Sequence, residues 1–201
     1  MTVLSDKTIK KLAEEMDMIN PFVDGQIAKK YDFDMEEDIR LISYGLSSFG
    51  YDACLSPVGI QIYTNANAGV IDPKNIDQDS LICSVLHEDH TGSFFYIPPN
   101  SFALCQTREY YKIPRNCIAF VAAKSTYARC GIVVNATVLE PEWCGTITLE
   151  LSNTTTLPAK VYVNEGIVQI IFIQGDQECE VSYADRDGKY MNQQSVTLPK
   201  V

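Results

Sequence analysis

"GTITLELSN", residues 145–153, alternates without a break: Ile147, Leu149 and Leu151 fall on one side, Thr146, Thr148 and Glu150 on the other. A repeat of two is the signature of a β-strand, because successive side chains point to opposite faces. The same repeat runs through "GIQIYTN" (59–65), "SFALCQT" (101–107), "CIAFVAA" (117–123), "GIVVNATV" (131–138), "AKVYVNEGIVQIIFIQ" (159–174) and "CEVSYAD" (179–185), with Pro, Gly and Asn punctuating the gaps. One stretch departs from it. In "SDKTIKKLAEEMDMI" (5–19), Ser5 is placed to cap a helix on which Ile9, Leu12, Ala13 and Met16 recur at helical spacing. The expectation is a mainly β fold, a barrel, sandwich or distorted jelly roll, preceded by one short helix. With 201 residues and no Pro/Gly/Ser-rich linker, the chain reads as a single domain over 1–201.

A net charge of -10 works against any broad electrostatic grip on a polyanion, so nucleic acid is not an expected partner. No apolar run approaches the ~20 residues that cross a bilayer. Met1 leads into "TVLSDKTIKK", which lacks the pattern of an export signal, so the expected setting is the cytoplasm, without a membrane. The seven cysteines (Cys54, Cys83, Cys105, Cys117, Cys130, Cys144 and Cys179) are odd in number and mostly set in apolar surroundings, which reads as reduced core thiols. Two polar stretches read as surface excursions: "KKYDFDMEEDIR" (29–40) as a solvated loop or frayed helix, and "LHEDHTG" (86–92), with both histidines, as a polar loop.

Chemistry concentrates in "AAKSTYARCG" (122–131), where an acidic chain places Lys124 and Arg129 around Ser125 and Thr126. If 117–123 is a strand, the next residues form a bend, and backbone amides, hydroxyls and cations converging on a bend suit a phosphate group. Glu150 is the second candidate. It sits in mid-strand between leucines, where partial burial raises a carboxyl group above its reference value of ~4.3 and suits it to proton transfer near neutrality.

Across "AKSTYARCGIVVNATVLEPEWCGTITLELSNTTTLPAKVYVNEGIVQIIF" the chain resembles the dCTP deaminase family, whose β fold is related to that of dUTPases. Further matches are "INPF", "ISYGLSSFGYD" (42–52), "DPKN" (72–75), "IPPNSFAL" (97–104), "IPRN" (113–116), "EVSY" (180–183) and "GKYMNQQ" (188–194). The resemblance implies hydrolysis of dCTP to dUTP and ammonia, supplying dUTP for dUMP and dTTP synthesis, in a homotrimer with sites between subunits and dTTP as a feedback inhibitor. Carried onto this sequence, Lys124, Ser125, Thr126, Tyr127, Ala128 and Arg129 hold the triphosphate and line the reaction centre, with Ser125 and Arg129 also catalytic. Glu150 becomes the acid/base, Thr148 and Leu149 present backbone to the cytosine, and Glu140 lies beside the deoxyribose. Gln169, Tyr183, Lys189 and Gln193 complete the contacts, the last three on a C-terminal segment (about 183–201) that closes over the nucleotide. Ala123 and Val138 stand where the family often has glycine and proline.

Zinc-dependent cytosine deaminases carry H-x-E with P-C-x-x-C. Neither pattern occurs here, so the expected nucleophile is water activated by a carboxylate, with no metal ligand from the protein and Mg2+ arriving on the triphosphate. Two alternatives remain at this level. One is a dUTPase or bifunctional enzyme that goes on to dUMP, although "DGKYMNQQSVTLPKV" has a single glycine where a dUTPase of this fold has a glycine-rich motif. The other is a nucleotide sensor without catalysis, which would have no use for a carboxylate beside the base.

Overall fold

Ser5 is extended (φ -79°, ψ 166°) and opens helix α1 (Asp6–Met16), although its side chain makes no capping bond to the backbone. The helix buries Ile9 and Ala13 and stops at Asp17, which is left-handed at φ 57°. Leu12 packs partly against the core, but Met16 is 54 % exposed, contrary to expectation. The reversal at Asp17 sends Met18, fully buried, into the core instead.

The computed structural model describes residues 1–32, 35–64 and 70–200; Asn65 of the expected 59–65 strand and the middle of the acidic stretch lie outside them. The strands, in chain order, are β1 (Thr2–Val3), β2 (Ile19–Asn20), β3 (Gln26–Asp32), β4 (Glu37–Ser47), β5 (Gly50–Cys54), β6 (Gln61–Tyr63), β7 (Leu81–Cys83) and β8 (His87–Asp89). They continue as β9 (Gly92–Ile97), β10 (Ser101–Lys112), β11 (Cys117–Ala123), β12 (Ile132–Asn135), β13 (Cys144–Asn153), β14 (Ala159–Tyr162) and β15 (Gly166–Gln174), with a single-turn helix α2 (Ser125–Ala128) between β11 and β12. One sheet runs β1-β15-β5-β4-β3 with β11 also on β15; a second runs β12-β13-β10-β6-β7 with β2 on β10; a third is β14-β9-β8. Every pairing of these strands is antiparallel. One buried cluster joins Tyr51 and Ala53 of β5, Ile170 and Phe172 of β15, Ala103 and Cys105 of β10, and Leu149 and Leu151 of β13. The mainly β architecture with a short N-terminal helix is therefore the one expected.

Local expectations fail in three places. The acidic stretch is neither loop nor frayed helix but part of the β3–β4 hairpin, with Lys29 opposite Arg40 and Tyr31 opposite Asp38. Almost every residue of β3 is exposed, so no apolar face announced the strand. "LHEDHTG" likewise forms β8 and its turn into β9, with His87 opposite Phe94 and stacked on its ring. "CEVSYAD", which alternates in sequence, forms no strand: residues 179–185 are bends and turns held by side-chain hydrogen bonds. The thiols divide as well. All seven are free, and Cys54, Cys105 and Cys117 are buried as read, but Cys83 and Cys130 are exposed.

Candidate active site

β13 carries the carboxylate because its alternation is real: Ile147, Leu149 and Leu151 are buried and Thr148, Glu150 and Ser152 lie on the outer face, half-buried. Glu150 stands opposite Leu104 of β10 and Asn135 of β12. It opens into a cleft of about 770 Å³ whose walls include Phe102, Leu104, Trp143, Thr148 and Tyr190. Burial in this mostly apolar setting pushes the Glu150 carboxyl above its usual range. The shift favours a group that can both accept and return a proton.

The C-terminal segment forms the far wall. Its backbone meets the start of β13 through a parallel bridge between Gly145 and Gln193, and Thr146 N donates to Gln193 O at 2.8 Å. Gly145, at φ 150°, cannot take a side chain, because a Cβ there would come within 2.9 Å of Gln193 N. Thr148 Oγ1 donates to Gln193 Oε1 at 2.9 Å, and Thr197 N donates to Thr148 Oγ1 at 3.2 Å. The indole of Trp143 donates to Tyr190 O at 2.9 Å, and Tyr190 N donates to the Tyr183 hydroxyl at 3.1 Å. Lys189 lines the cleft and donates to Lys200 O at 2.5 Å. Glu140 also lines the cleft and is ion-paired with Arg186.

Of the sequence-derived residues, Glu140, Thr148, Glu150, Tyr183, Lys189 and Gln193 thus share one cleft. Leu149, between Thr148 and Glu150, does not line it: its side chain is fully buried in the core. The "KSTYAR" residues do not line it. In place of a loose bend, α2 follows the extended Lys124, and it precedes β12 at the end where Ile132 pairs with Asn153. Glu150 is three residues further along β13, roughly 10 Å away by strand rise.

Within α2 the side chains separate by role. Ser125, Thr126, Ala128 and Arg129 are exposed, and Arg129 makes no ion pair among the described residues. Thr126 faces a different hollow of about 620 Å³, beside the β3–β4 hairpin. Tyr127 is 4 % exposed, and its hydroxyl accepts from Tyr162 N at 2.9 Å, so its ring is packing rather than a ligand contact. Lys124, read as a phosphate grip, is instead in a buried ion pair: Nζ meets Asp52 Oδ2 at 2.6 Å, with the two side chains 12 % and 6 % exposed. Gln26 Nε2 adds a 3.0 Å bond to the same oxygen. Gln169 of β15 pairs in register with Asp52 and Ala122 and lies outside the cleft.

The sequence left Trp143, Tyr190, Asp52 and Arg115 without roles. Each lies within a quoted motif, "LEPEW", "GKYMNQQ", "FGYD" or "IPRN", but only three-dimensional contact shows what it holds. Among the described residues no cluster of three or more His, Cys, Asp or Glu is arranged to hold a metal ion.

The three-sheet β body, the strand-borne carboxylate in a largely apolar cleft and the C-terminal segment along its wall are the features of a small-ligand site. The dCTP deaminase-like family pattern matches residues 3–175, and the chain belongs to that family. It is 52% identical over 200 residues to a dCTP deaminase of Azotobacter vinelandii and 51% identical over 201 residues to one of Pseudomonas aeruginosa, each alignment covering both chains completely. Among solved structures it is similar to a 2'-deoxycytidine 5'-triphosphate deaminase from Agrobacterium tumefaciens, with a TM-score of 0.55 at 15% identity. That alignment covers 86% of this chain and 48% of the other, and at this identity it speaks to the fold alone.

Proposed function

We propose that the protein hydrolyses dCTP to dUTP and ammonia, with Glu150 as the proton carrier and no zinc. The observation that carries this reading is the half-buried Glu150 carboxyl, raised by burial, on the floor of a cleft whose wall is the C-terminal segment. Full-length identity of 51–52% to named dCTP deaminases supplies the substrate. Glu150 takes a proton from water set against C4 of the cytosine. Glu150 delivers that proton to N3 as attack gives a tetrahedral centre at C4, then carries the proton of the new C4 hydroxyl to the amine, so that the C4–N bond breaks as C4=O forms and dCTP and H2O become dUTP and NH3. Thr148 and the Leu149 backbone face the ring, Glu140 the deoxyribose, and Lys189 and Gln193 the phosphates.

The other half of the site comes from a second copy. Ser125 and Arg129 point to solvent outside their own cleft, as groups serving a neighbouring subunit would. Phe120 and Val133, on β11 and β12 beside α2, are 44% and 43% exposed and offer apolar surface for that contact. In the homotrimer inferred here, α2 of one subunit meets the cleft of the next, Ser125 orients the water, Arg129 offsets developing charge, and Mg2+ enters on the triphosphate. dTTP competes for the pocket, and the cytoplasmic product feeds dUMP and dTTP synthesis. The test is a coupled ammonia assay on dCTP with identification of the nucleotide product. Ammonia with dUTP and no pyrophosphate supports the reading. Pyrophosphate with dUMP would make the enzyme bifunctional, and nucleotide binding without ammonia would make it a sensor.

A further inference from the structure

We propose that Arg115 is a positioning residue for the C-terminal wall of the cleft. It lies outside the cleft, in the turn between β10 and β11, yet its guanidinium gathers five acceptors. Nε donates to Cys179 O at 3.2 Å; one terminal nitrogen reaches Glu142 Oε2 at 2.6 Å and Ser182 Oγ at 3.5 Å; the other reaches Glu180 O at 2.9 Å and Asp185 Oδ2 at 2.6 Å. Only a planar fork with donors on three nitrogens satisfies acceptors spread this way, and a lysine cannot. The bond from Arg115 pulls the Asp185 carboxyl down to about 2, so this acceptor stays ionised at neutral pH.

The consequence is transmitted through short, named links. Asp185 Oδ2 also accepts from Ser182 N at 3.0 Å, which fixes the turn on which Tyr183 sits, and Tyr183 N donates to Pro141 O at 3.0 Å. Gly188 lies against the Tyr183 ring so closely that a Cβ would come within 2.0 Å, and Tyr190 is bound to both Tyr183 and Trp143. Residues 192–197 are tied to β13 directly, through the Gly145–Gln193 bridge and the bonds of Asn192, Gln193 and Thr197, but among the described residues no sheet pairing secures 179–191, so the side-chain bonds above, with that of Tyr183 N to Pro141 O, decide where this part of the segment rests. Loss of the grip is therefore local, and the β body remains.

The kinetic effect rests on the deaminase reading; the structural effect does not. Trp143 is the chain's single tryptophan and contacts the segment directly, so its emission reports the wall independently of turnover. In Arg115→Ala, the far-ultraviolet circular dichroism is expected to match wild type, while Trp143 emission shifts to the red and iodide quenching rises. KM for dCTP should rise about 10-fold with kcat within about 3-fold, and Arg115→Lys should fall between. Unchanged emission and KM in Arg115→Ala, or a fall in kcat at unchanged KM, would overturn the proposal. Should Arg115→Ala fail to fold, Glu142→Gln combined with Asp185→Asn weakens the same grip from the surface and is read the same way. If wild type releases no ammonia from dCTP, the deaminase reading fails while the emission still decides the role of Arg115.

Discussion

The cleft and α2 carry the two chemical halves of the proposed reaction, and they are built differently. The cleft is built within one chain: a strand supplies Glu150, aromatic side chains supply low polarity, and the C-terminal segment supplies a wall hydrogen-bonded to β13 through Thr148, which donates to Gln193 Oε1 and accepts from Thr197 N. The α2 turn is bare. Its hydroxyls and Arg129 are exposed, and its other cation, Lys124, is spent on Asp52 in the interior. A single chain therefore presents a half-buried, raised carboxyl in one place and, in another, exposed hydroxyls beside an Arg129 that makes no ion pair among the described residues. The difference teaches that two cations of one motif can serve different ends, since Lys124 is ion-paired in the interior while Arg129 stays exposed.

The largest expected effect breaks the cleft half alone. Glu150→Gln should retain dCTP binding by calorimetry yet lose on the order of 100- to 10,000-fold in ammonia release, the usual contribution of a general base. Next comes the anchoring of the other half. Removing one member of a buried ion pair strands its partner, so Asp52→Ala should cost about 3–5 kcal/mol in urea unfolding. Asp52→Asn combined with Lys124→Met should cost less than the sum of the singles. Strictly additive costs would mean that the Lys124–Asp52 contact contributes nothing.

A smaller effect sharpens the contrast through pH. Because the Glu150 carboxyl is raised and must be ionised to act as a base, the acid limb of kcat/KM should lie above the ordinary glutamate value. Stability moves the opposite way. A carboxyl raised in the folded state favours folding below its unfolded value, and that advantage is lost as pH rises through the folded value. Glu150→Gln should accordingly melt slightly higher than wild type at neutral pH, with the gap closing as pH falls through the raised folded value and closed by about 4.5. Equal melting temperatures throughout would place Glu150 in water rather than in the cleft.

Legibility in the sequence tracks burial. "GTITLELSN" and "CIAFVAA" show their alternation because one face of each packs on the core, and both form strands where expected. The β3–β4 hairpin is hidden because charged residues occupy both of its faces, so hydrogen bonding rather than apolar burial defines it. "CEVSYAD" misleads in the reverse sense, since its alternation yields to the bonds that Arg115 makes with the backbone of Cys179 and Glu180. In the site, residue types are legible but their directions are not. The single turn of α2 turns Tyr127 inward against β14 and leaves Ser125 and Arg129 outside, and only the fold reveals that Asp52, seventy-two positions before Lys124, neutralises it.

The central claim is that Glu150 of one subunit works with α2 of another. Arg129→Ala and Glu150→Gln should each be nearly inactive alone. When the two are unfolded together and refolded as a mixture, random assembly should restore about a quarter of the sites, each combining an intact cleft with an intact α2 from different chains. Recovery of ammonia release to that level is the predicted result, and a mixture no more active than its parents would contradict the shared site.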